Sequence, residues 1–399
     1  MPFPEEFWWG TAASSTQTEG AAPCADWARW EKEGRAPPSG DGNGFATRYG
    51  EDFALYRDHG LTHHRLSIEW ARIEPREGER DHDAVEHYTE VLKAARAAGV
   101  QVWVCLHHFT LPGWFSDDMG GFLDDKGLGY FWPRHVDFVA ETFGDLVYGW
   151  KPINEPVAFA AAGWLAGLHP PGRSDPQRFA EALRATHLAN HQAWRLLRSG
   201  GRPVVTIHNL SPLFAAADDQ RTRDAVALAE EVLWRSWIRA QRDGVLEIPG
   251  TAPIEVDDMA GSFDLIGFSY YSAHQVTAEL ALQPYPVGAR VGPLGYSPWG
   301  EGLGICLRRL AEELPGRPLL VCELGVGTDD EEWREEILRD SAAELESALG
   351  DGIDVRGCFF WTGVDNYEWL HGFDVAFGLF DRERNPRPSA ELARSLALR

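Results

Sequence analysis

Short runs of apolar and β-branched residues recur along the chain, each followed by a longer stretch whose apolar positions return every three to four residues. Eight such runs can be read: "FWWGTAAS", "HHRLSIEW", "VQVWVCLHH", "WKPINEP", "PVVTIHNL", "FDLIGFSYY", "PLLVCELG" and "GCFFWTGV". Between them, "DAVEHYTEVLKAARAAG", "WPRHVDFVAETFGDL", "PQRFAEALRATHLANHQAWRLLRSG", "TRDAVALAEEVLWRSWIRAQRDG" and "EEWREEILRDSAAELESALG" carry the helical period, and several close on the glycine of a helix C-cap. This alternation predicts an α/β fold, a single (β/α)8 TIM barrel over residues 1–399. No linker rich in Pro, Gly or Ser divides the chain, and residues 284–304, with many glycines and prolines, read as a loop over the barrel mouth.

Composition narrows the partners. With 44% hydrophobic and 12% aromatic residues the chain can bury a large core. Its net charge of -24 repels phosphate backbones and anionic lipid, so neither nucleic acid nor a membrane is an expected partner. The start, "MPFPEEFWWG", has no basic n-region, and no later stretch approaches the length of an apolar span, which predicts a cytoplasmic protein. Five cysteines are an odd number without metal spacing, and Cys105, Cys322 and Cys358 read as small buried hydrophobes inside strands.

In a barrel of this kind the C-terminal ends of the strands carry the chemistry. Here those ends are polar and aromatic: Gln17 and Glu19, Arg65 and Glu69, His107 and His108, Asn154 and Glu155, Asn209, Tyr270 and Tyr271, Glu323, then Trp361 with Glu368 and Trp369. In "GWKPINEP" the prolines at 152 and 156 mark an extended element that delivers an amide and a carboxylate at its end. Glu155 and Glu323, on strands four and seven, would face one cavity from opposite sides, as the paired carboxyls of glycoside hydrolysis do. Such pairs stand about 5 to 5.5 Å apart in retaining enzymes and roughly 6.5 to 9.5 Å apart in inverting ones. A lone glutamate in so acidic a chain is ordinarily a structural ion-pair partner, but each of these follows a buried-type strand in amide or aromatic company. His107 and His108 are adjacent on a strand and so face opposite sides, with no further His or Cys at ligand spacing, and no metal is expected.

The same motifs resemble those of family 1 glycoside hydrolases, the retaining β-glycosidases that include β-glucosidases, along nearly the whole chain. The resemblance implies Glu155 of "NEP" as general acid/base and Glu323 of "PLLVCELG" as nucleophile. It further implies Gln17, His108, Asn154, Tyr271, Glu368 and Trp369 as sugar contacts, Trp361 as platform with Phe377 nearby, and Arg65 and Ser269 as catalytic support. No cofactor is implied. The expected substrate is a small neutral β-glycoside, the charge of Glu368 being expected to repel a 6-phosphate. Two other functions on this scaffold are a transglycosylase and a catalytically silent sugar-binding barrel. The chain departs from the family pattern at Thr16, Glu69, Thr110, Pro152, Ser269, Cys322, Leu324 and Ala376, and it is shorter than most members, which implies trimmed mouth loops.

Overall fold

The computed structural model describes residues 3–398. Eight strands follow one another along the chain: β1 (Trp8–Ala12), β2 (His63–Ser67), β3 (Gln101–His107), β4 (Gly149–Ile153), β5 (His208–Asn209), β6 (Ile266–Tyr270), β7 (Leu319–Leu324) and β8 (Val355–Trp361). They pair in parallel in the order β4-β3-β2-β1-β8-β7-β6-β5. The main helices are α1 (Phe45–Asp58), α2 (His82–Ala98), α3 (Trp132–Phe143), α4 (Pro176–Leu197), α5 (Gln220–Glu230), α6 (Ser236–Asp243), α7 (Gly300–Glu313), α8 (Glu331–Gly350) and α9 (Pro388–Ala397). Four of them begin on an aspartate whose side chain accepts a first-turn N–H: Asp81, Asp175, Asp219 and Asp330.

The barrel closes between β4 and the segment leading into β5. Trp150 N–H donates to Pro203 O and Val205 N–H donates to Trp150 O, both at 2.8 Å. The next rung of a parallel ladder would need an N–H from Pro152, which has none. The run "PVVTIHNL" therefore makes single bridges at Val204 and Val205, and only its last part, β5, is regular strand. Glu155 N–H then donates to Ile207 O at 3.0 Å, so the turn that carries Glu155 stands on this seam.

Inside the barrel, Trp103, Leu320, Cys322 and Phe359 pack below Trp361 and Phe377. Outside it, the larger core lies between strands and helices. The four cysteines Cys105, Cys306, Cys322 and Cys358 are buried and free.

One expectation changes. Residues 284–304 are not all loop: Leu282–Tyr285 pairs antiparallel with Ala273–Val276, and α7 begins at Gly300. Gly288 and Gly295 turn the chain with left-handed backbones, whereas the glycines of α7 serve close packing: a Cβ on Gly302 would stand 2.0 Å from Tyr270 Oη, and one on Gly300 would stand 2.4 Å from Asp340 Cβ. Helix α1 escapes the apolar pattern because its buried face includes Asp52, paired with Arg384 at 2.8 and 3.0 Å.

Candidate active site

Each strand end leaves the barrel differently, and the differences set the side chains. After β1 the chain turns into a short helix (Ser15–Glu19), which places Gln17 over the barrel. Ser14 Oγ donates to Gln17 Oε1 at 2.8 Å and Gln17 Nε2 donates to Tyr367 O at 2.8 Å, which orients the amide. After β4, Pro156 opens a helix (Pro156–Ala160) at its first position, where a missing N–H costs nothing. Three non-glycine residues with left-handed backbones, Phe109 (φ 70°), Glu155 (φ 45°) and Trp369 (φ 47°), line the same cavity. Each such conformation costs about 1–3 kcal/mol and persists only where the surroundings over-determine it.

That cavity, about 280 Å³, opens at the C-terminal end of the barrel. It is lined by ten of the residues expected from sequence: Gln17, His108, Asn154, Glu155, Tyr271, Glu323, Trp361, Glu368, Trp369 and Phe377. Arg65 is fully buried on β2, where it contacts Asn154, Glu323 and His108, and Ser269 lies on β6 opposite Glu323 in register. Sequence reading missed Phe109, His169, Leu294, Tyr296 and His371, which with Ala158, Ala162 and Leu370 complete the wall. Four of these five lie on loops beyond the strand ends and His371 ends a short 3-10 helix (Trp369–His371), while Tyr296, in "GPLGYSP", stacks on Tyr271 at 5.5 Å and 23°. Two larger grooves, each about 690 Å³, lie around Asp26 and Arg178 on the outer wall and around Trp8 and Arg356 at the opposite barrel face. Neither gathers the polar strand ends.

Arg65 organises the floor. Its guanidinium forms an ion pair with Glu323, donates to Asn154 Oδ1 at 3.2 Å and Ala13 O at 3.0 Å, and meets His108 Nδ1 at 2.8 Å. A guanidinium can only donate, so Nδ1 of His108 accepts and the neutral ring carries its proton on Nε2. Burial, with the Arg65 charge beside it, holds His108 well below the ordinary histidine range. Tyr271 Oη donates to Glu323 Oε2 at 2.5 Å.

The carboxyls differ. Burial raises Glu155, while the Ser269 hydroxyl and the Arg65 charge act in the opposite direction. Burial pushes Glu368 up to about 8, against a hydrogen bond from Trp361 Nε1 at 3.1 Å. Burial thus weakens the charge that was expected to repel a phosphate. The wall of the cavity also lacks cations: apart from Arg65 beneath its floor, no lysine or arginine lines it among the described residues. Ser269 is buried, with its hydroxyl toward the Glu155 carboxyl.

A closed parallel barrel with two buried carboxyls facing one sugar-sized cavity, one of them paired with a guanidinium, defines a glycoside-hydrolase architecture. The profile described as glycosyl hydrolase family 1 matches residues 1–396, and the chain belongs to that family. It is thereby a retaining glycoside hydrolase. A β-glycosidase from Pyrococcus horikoshii has a similar structure, with 31% identity, a TM-score of 0.91, and coverage of 100% of this chain and 95% of that one. Similar sequences include the coniferin β-glucosidase of Pinus contorta, 26% identical over 98% of this chain and 90% of that protein. The 6-phospho-β-glucosidase GmuD of Bacillus subtilis (strain 168) is also 26% identical, over 99% of this chain and 97% of that protein.

Proposed function

We propose that the chain is one catalytic unit that hydrolyses neutral β-glycosides one sugar at a time, with Glu323 as nucleophile and Glu155 as general acid/base. The contrast between the two carboxyls carries the reading. Glu323 is held by a guanidinium and a phenol, which favours the anion, whereas Glu155 is buried and its pKa raised, which favours the acid.

In the first step Glu323 attacks the anomeric carbon while Glu155 gives its proton to the departing glycosidic oxygen, releasing an alcohol. The ester that forms removes the charge of Glu323. Ionised Glu155 then takes a proton from water, whose oxygen attacks the same carbon and frees Glu323. Asn154, with its Oδ1 engaged by Arg65, presents its Nδ2 donor to the sugar, and His108 presents Nε2–H. Trp361 and Trp369 offer flat faces to the ring's C–H surfaces. The names of similar proteins, a β-glycosidase and a β-glucosidase, support a β-glucoside. The cation-free lining favours a neutral sugar over the phosphorylated one in the name of the Bacillus subtilis relative. Five free cysteines accord with a cytoplasmic setting.

A 2-deoxy-2-fluoro β-glucoside with a good leaving group slows both steps and lets the ester accumulate. The expected result is a single covalent label in the peptide spanning 318–325, with retained configuration by NMR. A label elsewhere, or inversion, would overturn the assignment.

A further inference from the structure

One carboxylate outside the cavity joins the three strand ends that carry Gln17, Arg65 and His108. Glu69, just beyond β2, is buried and makes no salt bridge among the described residues. Its Oε2 accepts from Ser15 Oγ at 2.7 Å, from Thr110 Oγ1 at 2.9 Å and, more weakly, from Thr16 Oγ1 at 3.5 Å. Its Oε1 accepts from Ala71 N–H at 3.4 Å, and Thr16 and Thr110 hydroxyls meet at 3.3 Å. An ionised carboxylate buried without a cation is costly unless hydrogen bonds replace its water. Burial raises the Glu69 pKa, while the Ser15 and Thr110 hydroxyls and the nearby Arg72 charge favour the charged form.

The placement of these hydroxyls is specific. Ser15 and Thr16 immediately precede Gln17, and Thr110 stands two residues after His108. Asp26 fastens the same two loops, exchanging hydrogen bonds with the Leu111 backbone at 2.9 and 3.1 Å. Thr16, Glu69 and Thr110, which follow three different strands, thus belong to one hydrogen-bonded set.

We propose that Glu69 is a positioning residue for sugar recognition, and that Thr16, Glu69 and Thr110 act as one unit. By fixing the loops after β1, β2 and β3 it holds the Gln17 amide and the His108 Nε2–H where they meet hydroxyls on one edge of the sugar. The inference rests on the reading of the cavity as a glycoside site.

The test uses a panel of 2-, 3-, 4- and 6-deoxy aryl β-glucosides, with kcat/KM taken as a ratio of the parent to each deoxy sugar. Gln17→Ala and His108→Ala first identify the hydroxyls those residues read. Glu69→Ala removes the oxygen that accepts from all three hydroxyls, and it should lower the ratio at those same positions by roughly five- to tenfold. Thr110→Val, a milder change, should lower the same ratios, and the double variant should be no worse than the more severe single one. A change confined to thermal stability, ratios that stay at the parent value in an active variant, or losses that multiply in the double variant would overturn the proposal. Wild-type protein that cleaves no β-glycoside would instead overturn the function on which it rests.

Discussion

Glu155 and Glu323 are one type of side chain in two surroundings. Removing Glu155 should slow the first step only where the leaving group needs its proton, although it slows the attack of water for every substrate, and general acid catalysis is worth about 10²- to 10⁴-fold. Glu155→Ala is therefore expected to lose far more activity on alkyl β-glucosides than on those with activated aryl leaving groups, with azide restoring part of the loss. Equal losses on both would remove Glu155 from the role. Ser269 offers a second test at this scale. Its hydroxyl is buried beside the Glu155 carboxyl and its strand position is opposite Glu323. Ser269→Asn supplies a longer donor toward the sugar's 2-hydroxyl, a contact that strengthens in the transition state. The ratio of kcat/KM for a β-glucoside over its 2-deoxy counterpart should rise, and an unchanged or lower ratio would refute this. At this scale the sequence was most legible, because strand ends carry chemistry whatever the loops do. The electrostatics were not: burial decides the state of Glu368, and no residue pattern expresses burial depth.

At the scale of elements, alternation of strands and helices was readable wherever the buried faces were apolar. It failed where a buried face was polar or glycine-rich. Helix α1 buries the Asp52–Arg384 pair, and α7 opens with glycines that permit contact with β6 and α8. Gly302 shows the stakes, since an added methyl would collide with Tyr270 Oη, which donates to Trp299 O at 2.5 Å. Gly302→Ala is expected to destabilise the fold by about 1–3 kcal/mol despite the better helix propensity of alanine. Urea midpoints read this directly, and a stabilised variant would mean that the helix can shift freely.

For the whole molecule, buried ionisable groups set the dependence of stability on pH. His63, His64 and His107 are pushed by burial to about 3, and His169 and His187 to about 4. Unfolding returns each to about 6.5. Between about pH 4 and 6.5 the unfolded chain binds more protons, so stability rises with pH, by about 1.4 kcal/mol per unit for each histidine. Asp26 and Glu368 lie at about 8 in the folded protein, pushed up by burial, so they oppose this trend. Their unfolded values are near 4, and across that window the folded protein binds more protons and loses stability as pH rises. The histidines outweigh the two acids below about pH 6.5, and only the acids act from there to about 8. Chemical denaturation at a series of pH values should show a maximum near pH 6.5, and a monotonic rise to pH 8 would contradict the balance.

The barrel's thin seam has a consequence for assembly. The turn at residues 198–201 is exposed and lies between α4 and the seam segment, so a cut there severs no strand. It would divide the molecule into two fragments, one bearing Glu155 and the other Glu323. Each fragment holds one of the two carboxyls, and neither can complete a double displacement alone. The fragments still share the β1–β8 ladder and the bridges around Trp150, which gives them complementary edges. Fused to two proteins that associate, they should regain glycosidase activity only when those proteins meet, so that hydrolysis of a fluorogenic β-glucoside reports an encounter. Activity from either fragment by itself would show that the two carboxyls are not jointly required.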